Sequence, residues 1–141
     1  IGRLHLLPED CQQELQQTID LTRENSGLNL ILALSYSSKS EITDAVREIA
    51  GAVKQGKIHP EDINEELIQQ HLYTHHIPDP ELMIRSSGEH RISNFLLWQL
   101  AYAEYFTDKL WPEITRQAFF DAIVDFQKRE RRFGMTTEQL H

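Results

Sequence analysis

Apolar residues occur along the chain in two patterns, as short unbroken runs and as longer stretches with a helical period. The unbroken runs at residues 28–34 and 82–84 are too short for buried helices, so they predict strands. A third short strand is predicted at residues 105–107. Helical spacing predicts helices at about residues 8–25, 39–55, 62–71 and 116–131. This alternation indicates an α/β protein with a mostly parallel sheet flanked by helices.

Residues 85–104, which read RSSGEHRISNFLLWQLAYAE, join three predicted elements end to end. The strand at residues 82–84 brings Arg85 to its carboxyl end, and a loop of small residues, 86–88, follows. Ser93 or Asn94 is a good N-cap for the next helix. That helix is apolar on nearly all sides and is therefore predicted to be buried. Its apolar residues are Phe95, Leu96, Leu97, Trp98, Leu100, Ala101 and Ala103.

The polar residues of this stretch have the chemistry of an anion site. Arg85 and Arg91, several hydroxyl groups and the free N–H groups of a helix start converge on the carboxyl edge of a strand. Such a combination favours a phosphate or diphosphate ligand. The alternative is that both arginines pair with Glu89 and other carboxylates, while Ser93 only caps the helix.

Glu104 lies in the last turn of the predicted helix, where its charge opposes the helix dipole. The dipole favours cations there by roughly 0.3–1 kcal/mol, so another interaction must stabilise the carboxylate. Either a metal ion or a facing arginine would supply it.

Composition limits the class of protein. The chain has 141 residues, 40% of them hydrophobic and 26% charged, which is typical of one globular domain covering residues 1–141. No apolar run approaches the ~20 residues that span a bilayer, and no basic start followed by an apolar stretch indicates a secretory signal. The single cysteine excludes an internal disulfide and fits a reducing compartment.

The distribution of charge indicates the kind of partner. The net charge of −8 argues against general binding of nucleic acid. Residues 1–84 carry 6 basic and 14 acidic groups, whereas residues 85–141 carry 8 of each. The half that contains the loop is therefore neutral and rich in arginine, which suits a small polyanion better than a polymer.

The stretch at residues 85–104 resembles a signature of the cis-prenyltransferases, the family of undecaprenyl diphosphate synthase. FTDKLWP at residues 106–112, RERRFG at 129–134 and LALSYSSKSEI at 32–42 extend the resemblance over essentially the whole chain. In that family the positions of Arg85, Arg91 and Ser93 bind the diphosphate of isopentenyl diphosphate. The resemblance further implies metal contacts at Glu104 and His90, and tail residues that approach the partner subunit's active site at Arg132 and Gly134.

The resemblance implies an enzyme of the prenyltransferase class. Such an enzyme condenses isopentenyl diphosphate with an allylic diphosphate of the farnesyl type and makes a cis-polyprenyl diphosphate. In the undecaprenyl case the product is a precursor of the cell-wall carrier lipid. The implied cofactor is Mg²⁺ and the implied assembly is a homodimer. The implied location is the cytoplasm, peripheral to the inner membrane face, into which the product partitions.

The resemblance also implies that this chain alone is catalytically incomplete. The family binds the allylic diphosphate through an aspartate in a DGNGRW-type segment, and no such segment occurs here. We therefore expect the C-terminal portion of a synthase, with no catalytic residue of its own. The alternative is a non-catalytic partner subunit or a diphosphate-binding module of a prenyltransferase complex. Retention of Arg85, Arg91 and Ser93 favours the enzyme, because a partner without substrate contact does not need them.

Overall fold

The computed structural model describes residues 1–107 and 109–130. The chain divides into two compact units, Ile1–Pro78 and Asp79–His141. Within the described residues, no helix is both long enough and apolar enough to cross a membrane. The prediction of one domain over residues 1–141 stays a prediction, because two compact units can belong to one domain.

The first unit contains three α-helices, α1 (Glu9–Thr22), α2 (Ser38–Lys54) and α3 (Glu65–Gln70). Single 3₁₀ turns occur at Leu4–Leu6 and Pro60–Asp62. All three helices were predicted, although the predicted helix at residues 62–71 is shorter than expected. It begins only after Asn64, whose side chain accepts a hydrogen bond from the N–H of Leu67.

Helix α2 forms the core of the first unit. Ser37 caps its start by accepting a hydrogen bond from the N–H of Ser40, and Gly56 follows its end with a φ of +69°. The helix buries one face, and the spacing of these positions matches the helical period. Its buried residues are Ser38, Glu41, Ala45 and Ile49.

The predicted strand at residues 28–34 is wrong, because the structure contains no strand there. Backbone hydrogen bonds reach only the end of this run, where the Leu34 N–H donates to Ile1 and the Ile1 amino group donates to Leu32. A strand needs a continuous hydrogen-bonded neighbour, so an apolar run alone does not form one. Leu28 and Leu30 are accordingly exposed, at 94% and 77%.

The second unit contains a parallel pair of strands, β1 (Leu82–Ile84) and β2 (Glu104–Phe106). Leu82 pairs with Glu104 and Ile84 pairs with Phe106. Helix α4 (Arg116–Lys128) follows a 3₁₀ turn at Trp111–Glu113, and Thr115 caps it by accepting a hydrogen bond from the N–H of Ala118. The α/β class with a parallel sheet is therefore confirmed.

The predicted buried helix at residues 95–103 is wrong. The structure has consecutive turns there, and Ser93, Asn94 and Leu96 have positive φ values of 50°, 60° and 46°. Left-handed residues cannot continue a right-handed α-helix, so the apolar run folds as turns. Gln99 and Leu100 are nevertheless buried.

Helix α4 buries only part of its apolar surface. The small residues Ala118 and Ala122 form its buried face, whereas Phe119 and Phe120 are half exposed. The alanine face of α4 is the one that is buried, because small side chains allow the helix backbone to approach its neighbours.

Candidate diphosphate site

Arg85 follows the last residue of β1, where its side chain turns onto the loop that comes next. Its N–H extends the sheet by donating to the carbonyl of Phe106 at 2.9 Å. Its guanidinium Nη1 donates to the backbone carbonyl of Arg91 and, at 3.3 Å, to the hydroxyl of Ser93. The structure therefore brings Arg85 and Ser93 together at the carboxyl edge of the parallel strands, as predicted.

Left-handed turns fold this loop back on itself. Ser87 and Gly88 have φ values of 79° and 60°, and Ser93 and Asn94 are also left-handed. The N–H of Ser87 donates to the carbonyl of Lys109 at 2.7 Å, which ties the first turn to the residues that follow β2. Residues with unusual φ values often occur at functional sites, where surrounding contacts hold them in place.

No α-helix begins at Ser93, so the predicted helix-start N–H groups and their dipole do not contribute to the site. The groups of the predicted anion site that the structure does bring to this loop are the guanidinium groups of Arg85 and Arg91 and the hydroxyl of Ser93.

Arg91 makes the ion pair that the alternative interpretation described. Its Nη1 lies 2.5 Å from a carboxylate oxygen of Glu89, and the Arg91 side chain is 67% exposed. Exposed ion pairs contribute roughly 0–1 kcal/mol. The exposed pair leaves the Arg91 guanidinium accessible from solvent. Arg85 differs from Arg91 in its partners, because in the described parts of the chain its side chain donates to a backbone carbonyl and a hydroxyl.

The two predicted metal contacts lie at opposite ends of β2. Nδ1 of His90 lies 3.5 Å from the hydroxyl of Thr107, the residue after the last position of β2. Glu104 is the first residue of β2. The backbone positions of Glu104 and Thr107 are therefore roughly 10 Å apart along the strand.

Glu104 faces an arginine. Nη1 of Arg129 donates to Oε2 of Glu104 at 2.8 Å, while Nε and Nη2 of Arg129 donate to Oδ2 of Asp125 at 2.9 and 2.6 Å. These bonds, first to Glu104 and then to Asp125, raise the pKa of the Arg129 guanidinium. Glu104 is the first residue of β2 and not the last turn of a helix, so the predicted conflict with a helix dipole does not arise, although Arg129 does face its carboxylate.

A complete metal site is not formed by the described residues. Residues 1–107 and 109–130 contain no group of three or more histidine, cysteine or acidic side chains placed to hold a metal ion. A single carboxylate still suits Mg²⁺, which often takes one protein ligand and completes its octahedron with water and substrate phosphates. Glu104 fits that limited role. The predicted tail residues, Arg132 and Gly134, lie outside the described residues.

A second polar cluster, in the first unit, was not predicted. Glu41 is completely buried, and its two oxygens accept hydrogen bonds from the hydroxyl of Tyr36 at 2.5 Å and from the N–H of Tyr73 at 2.9 Å. The hydroxyl of Tyr73 donates to Asp44, which also binds Arg3 through both carboxylate oxygens. The cluster therefore connects the start of the chain to α2 and to the segment after α3.

Three pKa values in this cluster are shifted, and hydrogen bonds to Asp44 and then to Tyr73 raise that of Arg3. Hydrogen bonds from Tyr73 and then from Arg3 lower the pKa of Asp44. Burial, followed by the hydrogen bond to Asp44, raises the pKa of Tyr73. The ionised carboxylate and the neutral phenol are thus the forms that the folded state stabilises.

Comparison with known proteins decides the family. The family model described as "Putative undecaprenyl diphosphate synthase" matches residues 1–134. The chain belongs to this family. An isoprenyl transferase of Chlorobaculum tepidum is 53% identical over an alignment of 141 positions that covers 99% of this chain and 53% of that protein.

More distant members agree with this assignment. A tritrans,polycis-undecaprenyl-diphosphate synthase (geranylgeranyl-diphosphate specific) of Thermococcus kodakarensis is 50% identical and matches 95% of this chain and 51% of its own length. The crystal structure of lavandulyl diphosphate synthase from Lavandula x intermedia, in complex with dimethylallyl diphosphate, superimposes with a TM-score of 0.90 and 39% identity. The superposition covers 95% of this chain and 58% of the lavandulyl diphosphate synthase chain. The chain therefore spans about half the length of the curated relatives it matches.

Proposed function

We propose that the full-length protein condenses isopentenyl diphosphate with an allylic, farnesyl-type diphosphate to give a cis-polyprenyl diphosphate such as undecaprenyl diphosphate. The chain's membership of a family of isoprenyl transferases supports a prenyltransferase. Within the proposed enzyme, Arg85, Arg91 and Ser93 supply the isopentenyl diphosphate site. The observation that carries this assignment is the hydrogen bond between Arg85 and Ser93 at the carboxyl edge of the parallel strands.

The residues at this edge divide the work of holding a diphosphate. Arg85 is fixed by its bonds to the loop and places a guanidinium at the strand end. Arg91 is exposed and gains a stronger partner than Glu89 when a diphosphate arrives. The Ser93 hydroxyl adds one more donor. Holding isopentenyl diphosphate by its charged end orients its carbon chain toward the allylic substrate, which lowers the entropic cost of reaction.

Glu104 would hold Mg²⁺ as one ligand. When bound, the ion would neutralise charge on a diphosphate group. His90 lies near the loop and Thr107, so we assign it to the diphosphate end of the strands, away from Glu104. We also propose that the protein is a homodimer in which the tail residues Arg132 and Gly134 approach the active site of the partner subunit. A cytoplasmic enzyme next to the inner membrane face would release its apolar product into that membrane.

The test is incorporation of labelled isopentenyl diphosphate by the full-length protein in the presence of farnesyl diphosphate and Mg²⁺. We expect labelled polyprenyl diphosphates, and a substantially smaller yield from Arg85→Ala. Arg116→Ala is the matched control, because Arg116 lies at the start of α4 and packs over the ring of Phe120. Absence of any incorporation by the wild-type protein would refute the enzyme and favour a non-catalytic partner subunit.

A further inference from the structure

Arg129 joins two elements of the second unit through three hydrogen bonds. It directly follows the last residue of α4, and its side chain reaches Asp125 one turn back along that helix and Glu104 at the first position of β2. A cation at this end of a helix is stabilised by the helix dipole. Arg129 is therefore fixed on α4 independently of Glu104.

The guanidinium of Arg129 donates to its two partners from different N–H groups. Nε and Nη2 bind Asp125, while Nη1 binds Oε2 of Glu104. Because the guanidinium is planar and rigid, the bond to Asp125 fixes the direction in which Nη1 points. The orientation of the Glu104 carboxylate thus depends on Asp125 through Arg129.

We propose that Arg129 is a positioning residue that fixes the Glu104 carboxylate to receive a divalent cation through Oε1 while Oε2 stays bound to Arg129. This inference rests on the proposed function. Groups that orient a metal ligand typically change metal affinity or activity by about 10- to 100-fold when they are removed. Lysine keeps the charge but cannot bind Asp125 and Glu104 in the same geometry.

The experiment uses Mn²⁺ as the probe and measures its binding to the full-length protein by electron paramagnetic resonance, with inorganic pyrophosphate present. We expect Arg129→Gln to weaken Mn²⁺ binding about 10- to 100-fold. Arg129→Lys should fall between Arg129→Gln and wild type, and Asp125→Asn should weaken binding several-fold. Arg116→Gln on the same helix is the control and should bind Mn²⁺ as wild type does.

Steady-state kinetics separate positioning from a structural role. If Arg129 acts on the metal ligand, raising Mg²⁺ restores much of the kcat of Arg129→Gln, whereas a folding defect does not respond to Mg²⁺. If the wild-type protein condenses the substrates but Arg129→Gln binds Mn²⁺ as tightly as wild type or more tightly, the positioning role of Arg129 is overturned and the proposed function is not. A wild type without condensation would overturn the proposed function and the inference together.

Discussion

Replacing Glu41 by alanine tests the polar cluster that holds the first unit together. Glu41 has no exposed surface, and its carboxylate accepts one hydrogen bond from Tyr36 and one from Tyr73. Glu41→Ala removes both acceptors at once. It leaves the Tyr73 N–H facing an apolar methyl group, while the half-buried Tyr36 hydroxyl can partly rehydrate.

The expected cost follows from these two bonds. A hydrogen bond to a charged group contributes roughly 1.5–3 kcal/mol, and an unsatisfied buried donor costs about 1–3 kcal/mol. Relief of the buried charge offsets part of the loss. We therefore expect Glu41→Ala to lower the free energy of unfolding by roughly 2–4 kcal/mol. Glu41→Gln keeps one acceptor and the side-chain shape, so its cost should be about 1 kcal/mol.

The measurement is equilibrium denaturation of the full-length protein in guanidinium chloride, followed by far-ultraviolet circular dichroism. Glu48→Ala is the matched control, because Glu48 is an exposed glutamate on the same helix and should stay within about 0.5 kcal/mol of wild type. A Glu41→Ala protein as stable as Glu48→Ala would refute the role of the buried cluster.

Two further predictions concern the same unit. Because hydrogen bonds lower the pKa of Asp44 in the folded state, its stabilising effect is present above the unfolded value, near 3.8, and disappears as the pH falls through the folded pKa. Asp44→Asn should therefore flatten the loss of thermal stability below about pH 4, and a profile parallel to wild type would contradict this. Gly2 has a φ of +110°, and an added Cβ would lie 2.1 Å from the carbonyl oxygen of Leu34. Gly2→Ala should consequently lower the thermal midpoint, whereas Gly27→Ala, which meets no atom within 4 Å, should not.

Local patterns predicted much of the secondary structure. The helical spacing in α2 and α4 reflects the burial of one face, which a sequence records directly. Helix α1 follows the same spacing, although none of its residues is buried. The run at residues 28–34 has an equally strong pattern, but strand formation depends on a hydrogen-bonded neighbour that no local pattern specifies. The helix predicted at residues 95–103 is wrong for a different reason, since Ser93 and Leu96 adopt left-handed conformations that their residue types do not favour.

For the candidate site, too, the local sequence predicted only contacts between residues that are near in the chain. Arg85 and Ser93 were predicted together because they flank one short loop, and the structure joins them. Arg129 lies 25 residues after Glu104, and nothing in the local sequence identified it as the arginine that faces Glu104. Its spacing of four residues from Asp125, which places both on one helix face, was the available signal. The cluster of Arg3, Asp44 and Tyr73 joins residues 29 to 41 positions apart and offered none.

The most direct test of the central claim is calorimetric measurement of isopentenyl diphosphate binding to the full-length protein. We predict that Arg85→Ala weakens this binding about 10- to 100-fold, the effect of losing a charge-assisted contact. Arg116→Ala should retain the wild-type Kd. An Arg85→Ala protein that binds isopentenyl diphosphate as tightly as the Arg116→Ala control would contradict the assignment of this strand edge as the diphosphate site.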